Sequence, residues 1–236
     1  VKRWVLLTGF LFFFSIHAST AFSEVYNLVW HQTFDESQIE AMKGARAIIH
    51  TTYGDIRLKF FPEVAPNHVY NFLQLSRIGF YNKTLFHRVI PNFMIQGGDP
   101  YSRQDDHTSW YGQGGVGYGY YHLKQEFSDK PHTRGTLSMA RSTDVDSAGC
   151  QFFICVARVS DWDNNYTVFG EVVEGMEVVD QIVSVPRSTD GYNRPLERIE
   201  MEIEVVFEAG DVTNDGKVDL AEAIRILQII AGTRFQ

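Results

Sequence analysis

The chain alternates between short apolar runs and turn-forming stretches, and the spacing of those runs predicts the elements. Ala47 to Thr52 and Ile56 to Phe61 flank Tyr53-Gly54-Asp55 and read as a hairpin, with Ile56, Leu58 and Phe60 alternating with polar partners. Pro66 opens a helix through Ile78 that gathers Val69, Phe72, Leu73 and Ser76 on one face and stops at Gly79. Strand-length runs follow at Phe86–Ile90, Phe93–Gln96, Thr136–Ala140, Gln151–Val156 and Val168–Val172, with a second helix over Met176–Val183. The last strand is the clearest. Ile199, Met201, Ile203, Val205 and Phe207 alternate with Glu200, Glu202 and Glu204, so one face is dry and the other wet. Many short strands with two helices predict a mainly β domain over residues 45–207, a closed antiparallel eight-stranded β-barrel capped by two α-helices. Residues 24–44 form an N-terminal extension in which Asp35 to Lys43 fits a short helix capped by Asp35 or Ser37. The long Gly- and Tyr-rich loop from Pro100 to Gln125 is expected to be functional surface.

Composition narrows the classes. In 236 residues there is no low-complexity tract or repeat, and a net charge of −8 argues against nucleic acid, which requires a concentrated basic surface. At the start, Lys2 and Arg3 precede an uncharged apolar stretch from Trp4 to Ile16 and a small, polar segment from His17 to Ser23. Residues 1–23 therefore read as a signal peptide, too short for a bilayer span of about 20 residues, with an uncleaved anchor as the alternative. This predicts a periplasmic or secreted protein with no membrane segment after cleavage. The two cysteines, Cys150 and Cys155, fall on one predicted strand about 16 Å apart. That exceeds the reach of a disulfide, so both are expected to be free.

The chemistry concentrates at residues 86–99, FHRVIPNFMIQGGD. Three further blocks follow in order: RGTLSMAR at 134–141, AGCQFFIC at 148–155 and YTVFGEVVEGMEVVDQI at 166–182. Together they resemble the cyclophilin family of peptidyl-prolyl cis/trans isomerases, over about residues 45–207. An X–Pro amide rotates over a barrier of about 18–20 kcal/mol because its C–N bond is partly double. Lowering that barrier takes an apolar pocket for the proline ring and a fixed donor for the twisted nitrogen, which becomes a better acceptor as conjugation is lost. No cofactor is required for catalysis.

The resemblance implies catalytic roles for Arg88 as that donor, for Gln96 as its orienter and for His87 beside the turning amide. It places Phe93, Met94 and Phe153 in the proline pocket, with Ala140, Gln151, Trp162 and Tyr166 along the peptide groove. The implied partners are proline-containing polypeptides, exported or folding. The alternative is a proline-peptide-binding chaperone or scaffold with weak catalysis. The chain departs from the family pattern at Asp161, where tryptophan is frequent, at Trp162 for leucine, at Tyr166 for histidine and at Arg141 for asparagine. Trp162 is expected either to narrow the pocket or to take the missing tryptophan's place.

Beyond the barrel, residues 211–222, DVTNDGKVDLAE, fit a twelve-residue EF-hand loop. Asp211, Thr213, Asp215, the Lys217 carbonyl, Asp219 and Glu222 fall at the ligand positions and Gly216 at the turn; Thr213 stands where Asp or Asn is usual. These are the expected Ca²⁺ ligands. Four carboxylates this close repel one another without a cation. With no helix before the loop, residues 208–236 resemble a half-repeat of a dockerin. The apolar stripe of Leu220, Ala223, Ile224, Leu227 and Ile230 then needs a cover: the chain's own barrel, a partner or a second copy.

Overall fold

The computed structural model describes residues 29–118 and 121–207; the signal-like segment and the calcium-loop segment lie outside them. Two-residue strands β1 (Val29–Trp30) and β6 (His122–Leu123) pair in parallel at the periphery. The other eight strands are β2 (Ala45–Thr51), β3 (Gly54–Phe60), β4 (Thr84–Ile90), β5 (Met94–Gly97), β7 (Thr136–Met139), β8 (Phe152–Cys155), β9 (Val168–Glu174) and β10 (Glu200–Phe207). They form a closed antiparallel barrel in the order β10-β2-β3-β9-β7-β8-β5-β4. Strand β10 pairs along β2 from Met201 to Phe207, and through Glu200 and Met201 with Leu85 and Thr84 of β4. Its alternation survives folding: Met201 and Ile203 are buried, whereas Glu202 and Glu204 are exposed.

Among the described residues three α-helices accompany the barrel: α1 (Glu36–Lys43), α2 (Pro66–Arg77) and α3 (Met176–Ser184). The pair of capping helices expected from the sequence is thus joined by a third, built from the lead-in. Asp35 caps α1 through a reciprocal box, accepting from the Gln38 amide at 2.9 Å while its own amide donates to Gln38 Oε1 at 3.0 Å. Ser37 supports that cap by donating to Asp35 Oδ1. Ala41 and Met42 are buried, in a crevice shared with Leu73 of α2 and with Val205 and Phe207 of β10.

Helix α2 places Phe72 at the centre of the core, with ring centroids of Phe60, Tyr81, Phe152 and Phe169 at 5.3–5.6 Å. Its own N-cap position, Ala65, has no side chain that can accept a hydrogen bond, and Pro66 follows. Glu126 supplies the missing acceptor from a distant loop. It takes the Asn67 and His68 amides at 3.1 and 3.0 Å, and the Asn67 and His68 side chains at 2.7 Å each. Burial alone would raise the Glu126 pKa; these donors, His68 foremost, outweigh it and hold the carboxyl below its usual range.

The first hairpin is tighter than its sequence suggests. Thr51 pairs with Gly54, leaving Thr52 and Tyr53 as the turn. Thr51 Oγ1 fastens it by accepting from the Tyr53 amide and donating to the Gly54 carbonyl. Cys150 and Cys155 are free and buried, and burial pushes the Cys155 thiol up to about 12.

Candidate active site

Antiparallel pairing puts Arg88 on β4 opposite Gln96 on β5. Between Phe86 and Arg88 the register slips by one residue. Phe86 and Val89 point into the core, while His87 and Arg88 both line a cavity outside it. A β-bulge breaks strict alternation in this way and re-aims side chains.

Arg88 is half-buried, and its Nη1 donates to Gln96 Oε1 at 3.2 Å. Gln96 Nε2 donates in turn to Gln151 Oε1 at 2.9 Å, and Gln151 Nε2 to the Gly114 carbonyl. The chain of amides fixes every orientation along it. Behind the 112–114 loop, fully buried Asp99 accepts from the backbone amides of Tyr101, Gly112 and Gly114. Burial raises the Asp99 pKa, and the backbone donors act against the rise. Burial lowers the Arg88 pKa from the ordinary arginine value, and no carboxylate is among the described groups that act on it.

His87 is only 4% exposed, and neither ring nitrogen has a hydrogen-bond partner. Burial drives its pKa down to about 4; the Leu85 backbone acts in the opposite direction and Arg88 adds to the fall. The imidazole is therefore neutral at pH 7 and stands outside the Arg88–Gln96–Gln151 chain.

Beside Arg88 lies a separate apolar cluster. Met94, Phe153 and Cys155 are buried, with Phe93, Ala140, Trp162 and Tyr166 packed against them. Trp162 closes one side, its ring 4.5 Å from Phe93, 4.8 Å from Phe153 and 4.8 Å from Tyr166. Tyr166 stands edge-on to Phe153 at 5.8 Å. The Trp162 ring is thus part of the wall of this cluster. Arg141 stacks on Tyr166 at 4.7 Å and donates twice to the Asn165 carbonyl, holding that ring over the pocket.

His132 and Asp163 also shape the site, though neither stood out in the sequence. The His132 ring stacks behind Phe153 at 6.0 Å, held by Ser138 on one nitrogen and Asp163 on the other. Arg158 in turn grips Asp163 and, with the His132 amide, keeps its carboxyl well below the usual range. This support rests on contacts between residues far apart in the chain.

On the other flank, Gln96, Ala140 and Gln151 border an open groove of about 720 Å³ with Asp144, Asp146 and Arg141 on its walls. Gly149 lets that wall close up, because a Cβ there would lie 1.7 Å from the Gly115 carbonyl oxygen. The structure thus links Arg88, Gln96 and Gln151 in one hydrogen-bonded chain, packs Phe93, Met94, Phe153, Ala140, Trp162 and Tyr166 into one apolar cluster, and buries His87 at the edge of a cavity that Arg88 and Gln96 also line. The expected calcium ligands Asp211, Thr213, Asp215, Lys217, Asp219 and Glu222 lie outside the described residues.

Comparison with known proteins gives this arrangement a context. The family model described as cyclophilin type peptidyl-prolyl cis-trans isomerase/CLD matches residues 46–205. A peptidyl-prolyl cis-trans isomerase of Synechococcus elongatus is 42% identical over 153 residues, covering 61% of this chain and 97% of the relative. One from Acinetobacter baylyi is 39% identical, covering 65% of this chain and 80% of its own. The peptidyl-prolyl cis-trans isomerase-like 2 of Gibberella zeae is 43% identical, but the chain spans only 25% of its length. A Cryptosporidium parvum cyclophilin type isomerase, solved in the presence of the dipeptide Ala-Pro, superposes with a TM-score of 0.61 at 30% identity. That match covers 70% of this chain and 99% of the solved one.

Proposed function

The chain belongs to the cyclophilin-type peptidyl-prolyl cis-trans isomerases, and from that premise we propose that it turns X–Pro bonds through Arg88. The observation that carries this reading is a half-buried guanidinium held by the neutral Gln96 beside the apolar cluster of Phe93, Met94 and Phe153. The amide partner orients the guanidinium and leaves its other N–H groups for substrate. The proline ring enters among Phe93, Met94 and Phe153 and stays still while the preceding carbonyl swings. As the nitrogen loses conjugation its lone pair accepts from Arg88, an interaction stronger in the twisted state than in either planar one. Gln96 and Gln151 position this donor and meet no reacting atom. A protease-coupled assay on X–Pro peptides tests the reading: folded Arg88→Ala protein with undiminished kcat/KM overturns it.

The clients are exported or folding polypeptides and the setting is periplasmic or secreted, a reading supported by the charge and hydrophobicity pattern of residues 1–23. The C-terminal loop binds Ca²⁺ through Asp211, Thr213, Asp215, Lys217, Asp219 and Glu222, supported by the spacing of those residues. Catalysis is independent of that ion.

A further inference from the structure

Arg88 is flanked on its second side by a cavity of about 250 Å³, lined by His87, Tyr111, Gly112, Tyr192 and Arg194 among others. That volume is below the range of about 300–1,000 Å³ usual for whole ligands and suits a single side chain. Both walls are built firmly. On one, the Gly112 amide is anchored on buried Asp99, and Tyr111 donates to the Gln104 carbonyl at 2.9 Å. On the other, the Asn193 carbonyl accepts from the Val89 amide at 2.9 Å, tying the 188–194 loop to β4.

Arg194 joins the walls. Its Nη1 donates to the Thr108 carbonyl at 2.8 Å, its Nη2 pairs with Asp190, and its guanidinium lies 4.9 Å over the Tyr192 ring. Asp190, which pairs with Arg194, does not line the cavity, so among the described side chains the charged groups facing the space are the Arg88 and Arg194 guanidiniums. At the cavity's edge is the His87 imidazole, nine-tenths buried and with both nitrogens unpartnered. Gly112 backs that ring: with φ +87, a Cβ there would stand 3.7 Å from His87 Nε2, in ordinary contact. A buried polar group left unpaired costs about 1–3 kcal/mol, a cost relieved when a ligand supplies the partner. The 720 Å³ groove on the other side of Gln96 carries Asp144 and Asp146 with a single Arg141, so the two flanks differ in their charged lining.

We infer that this cavity is a substrate subsite for one acidic side chain, on the flank of the X–Pro bond facing away from the Asp144/Asp146 groove, with Arg194 and the unpartnered His87 as its donors. The inference rests on the assignment of Arg88 above. Isomerisation of peptides carrying Glu, Gln or Lys in turn at each of three positions on either side of the X–Pro pair tests it. At one position Glu should raise kcat/KM about fivefold over Gln, the scale of a partly exposed ion pair. Half-molar NaCl should erase the gain. Arg194→Gln should remove the Glu preference while leaving turnover of the Gln peptide, and Arg194→Lys should keep part of it. Equal rates for Glu and Gln at every position, or a Glu preference that survives Arg194→Gln, overturns the subsite. Should Arg194→Gln fail to fold, the salt titration of the unaltered protein decides. Failure of the Arg88 assignment would show instead as full activity in Arg88→Ala on every peptide.

Discussion

Arg88 and Gln96 face each other across the β4–β5 ladder, and the side-chain hydrogen bond between them, 3.2 Å from Nη1 to Oε1, repeats the backbone register. The strand pairing itself aims the guanidinium, so its orientation costs little entropy on substrate binding.

Replacing Arg88 by Ala should lower kcat/KM by about 100- to 1,000-fold, the range for loss of a single preorganised donor. The melting temperature should change little, since a half-buried arginine contributes little to the core. Gln96→Leu should cost less and act mainly on kcat, because Gln96 orients the donor and touches no reacting atom. Peptide kinetics beside thermal melts check both variants.

Phe153→Ala should damage stability and binding together. The ring is buried among Met94, Trp162, Tyr166 and His132, and deleting a buried phenylalanine costs about 3–5 kcal/mol. Trp162→Leu should be mild for stability but should raise KM, since that indole walls the pocket without filling the barrel. Urea unfolding and KM measurements separate the two cases.

His87 gives stability a definite pH dependence. Its folded-state pKa of about 4 lies below the 6.5 of the unfolded chain, so on acidification the unfolded state takes the proton first. Stability is complete above pH 6.5 and falls as the pH drops towards 4, by up to about 3 kcal/mol. His87→Gln should flatten that segment of the profile, measured as urea-unfolding free energies at pH 7.5 and 4.5 for both proteins. An identical slope in the variant would refute the assignment.

Glu126→Ala should cost about 1–3 kcal/mol by orphaning two buried amides of α2. The carboxyl's depressed pKa means its contribution is present above the unfolded value near 4.3 and is lost as pH falls through the folded one. That acid limb lies below most of the His87 window. Thermal melts between pH 3 and 5 should show it weakened in Glu126→Gln.

Calcium should bind the full chain, and Glu222→Gln should abolish binding, since position 12 of such a loop supplies two oxygens. Isomerase activity should be the same with and without chelator. Calorimetric titration showing no heat at millimolar calcium would remove the loop from the list of ion sites.

What could be read before folding was whatever depends on near neighbours. The dry and wet faces of β10, the buried face of α2 and the Asp35 cap all follow from spacings of a few residues. The bulge at His87 was not legible, because an apolar-polar-polar-apolar run does not say which polar residue is the extra one. The cap on α2 was invisible for another reason: Glu126 lies 59 residues from the amide it accepts. His132 and Asp163 matter only because folding stacks one behind Phe153. The site's first contacts were thus readable from motif, while its supporting layer is a property of the closed barrel.

That closure depends on the last strand. Until residues 200–207 are available, β2 and β4 each present an unpaired edge, a row of N–H and C=O groups able to recruit another chain. A chain that emerges N-terminus first carries both edges open from the completion of β4 at Ile90 until Glu200–Phe207 follows. Truncation before Glu200 therefore leaves an open sheet rather than a smaller barrel. A chain of this isomerase family is thus an adhesive one until its own last strand arrives.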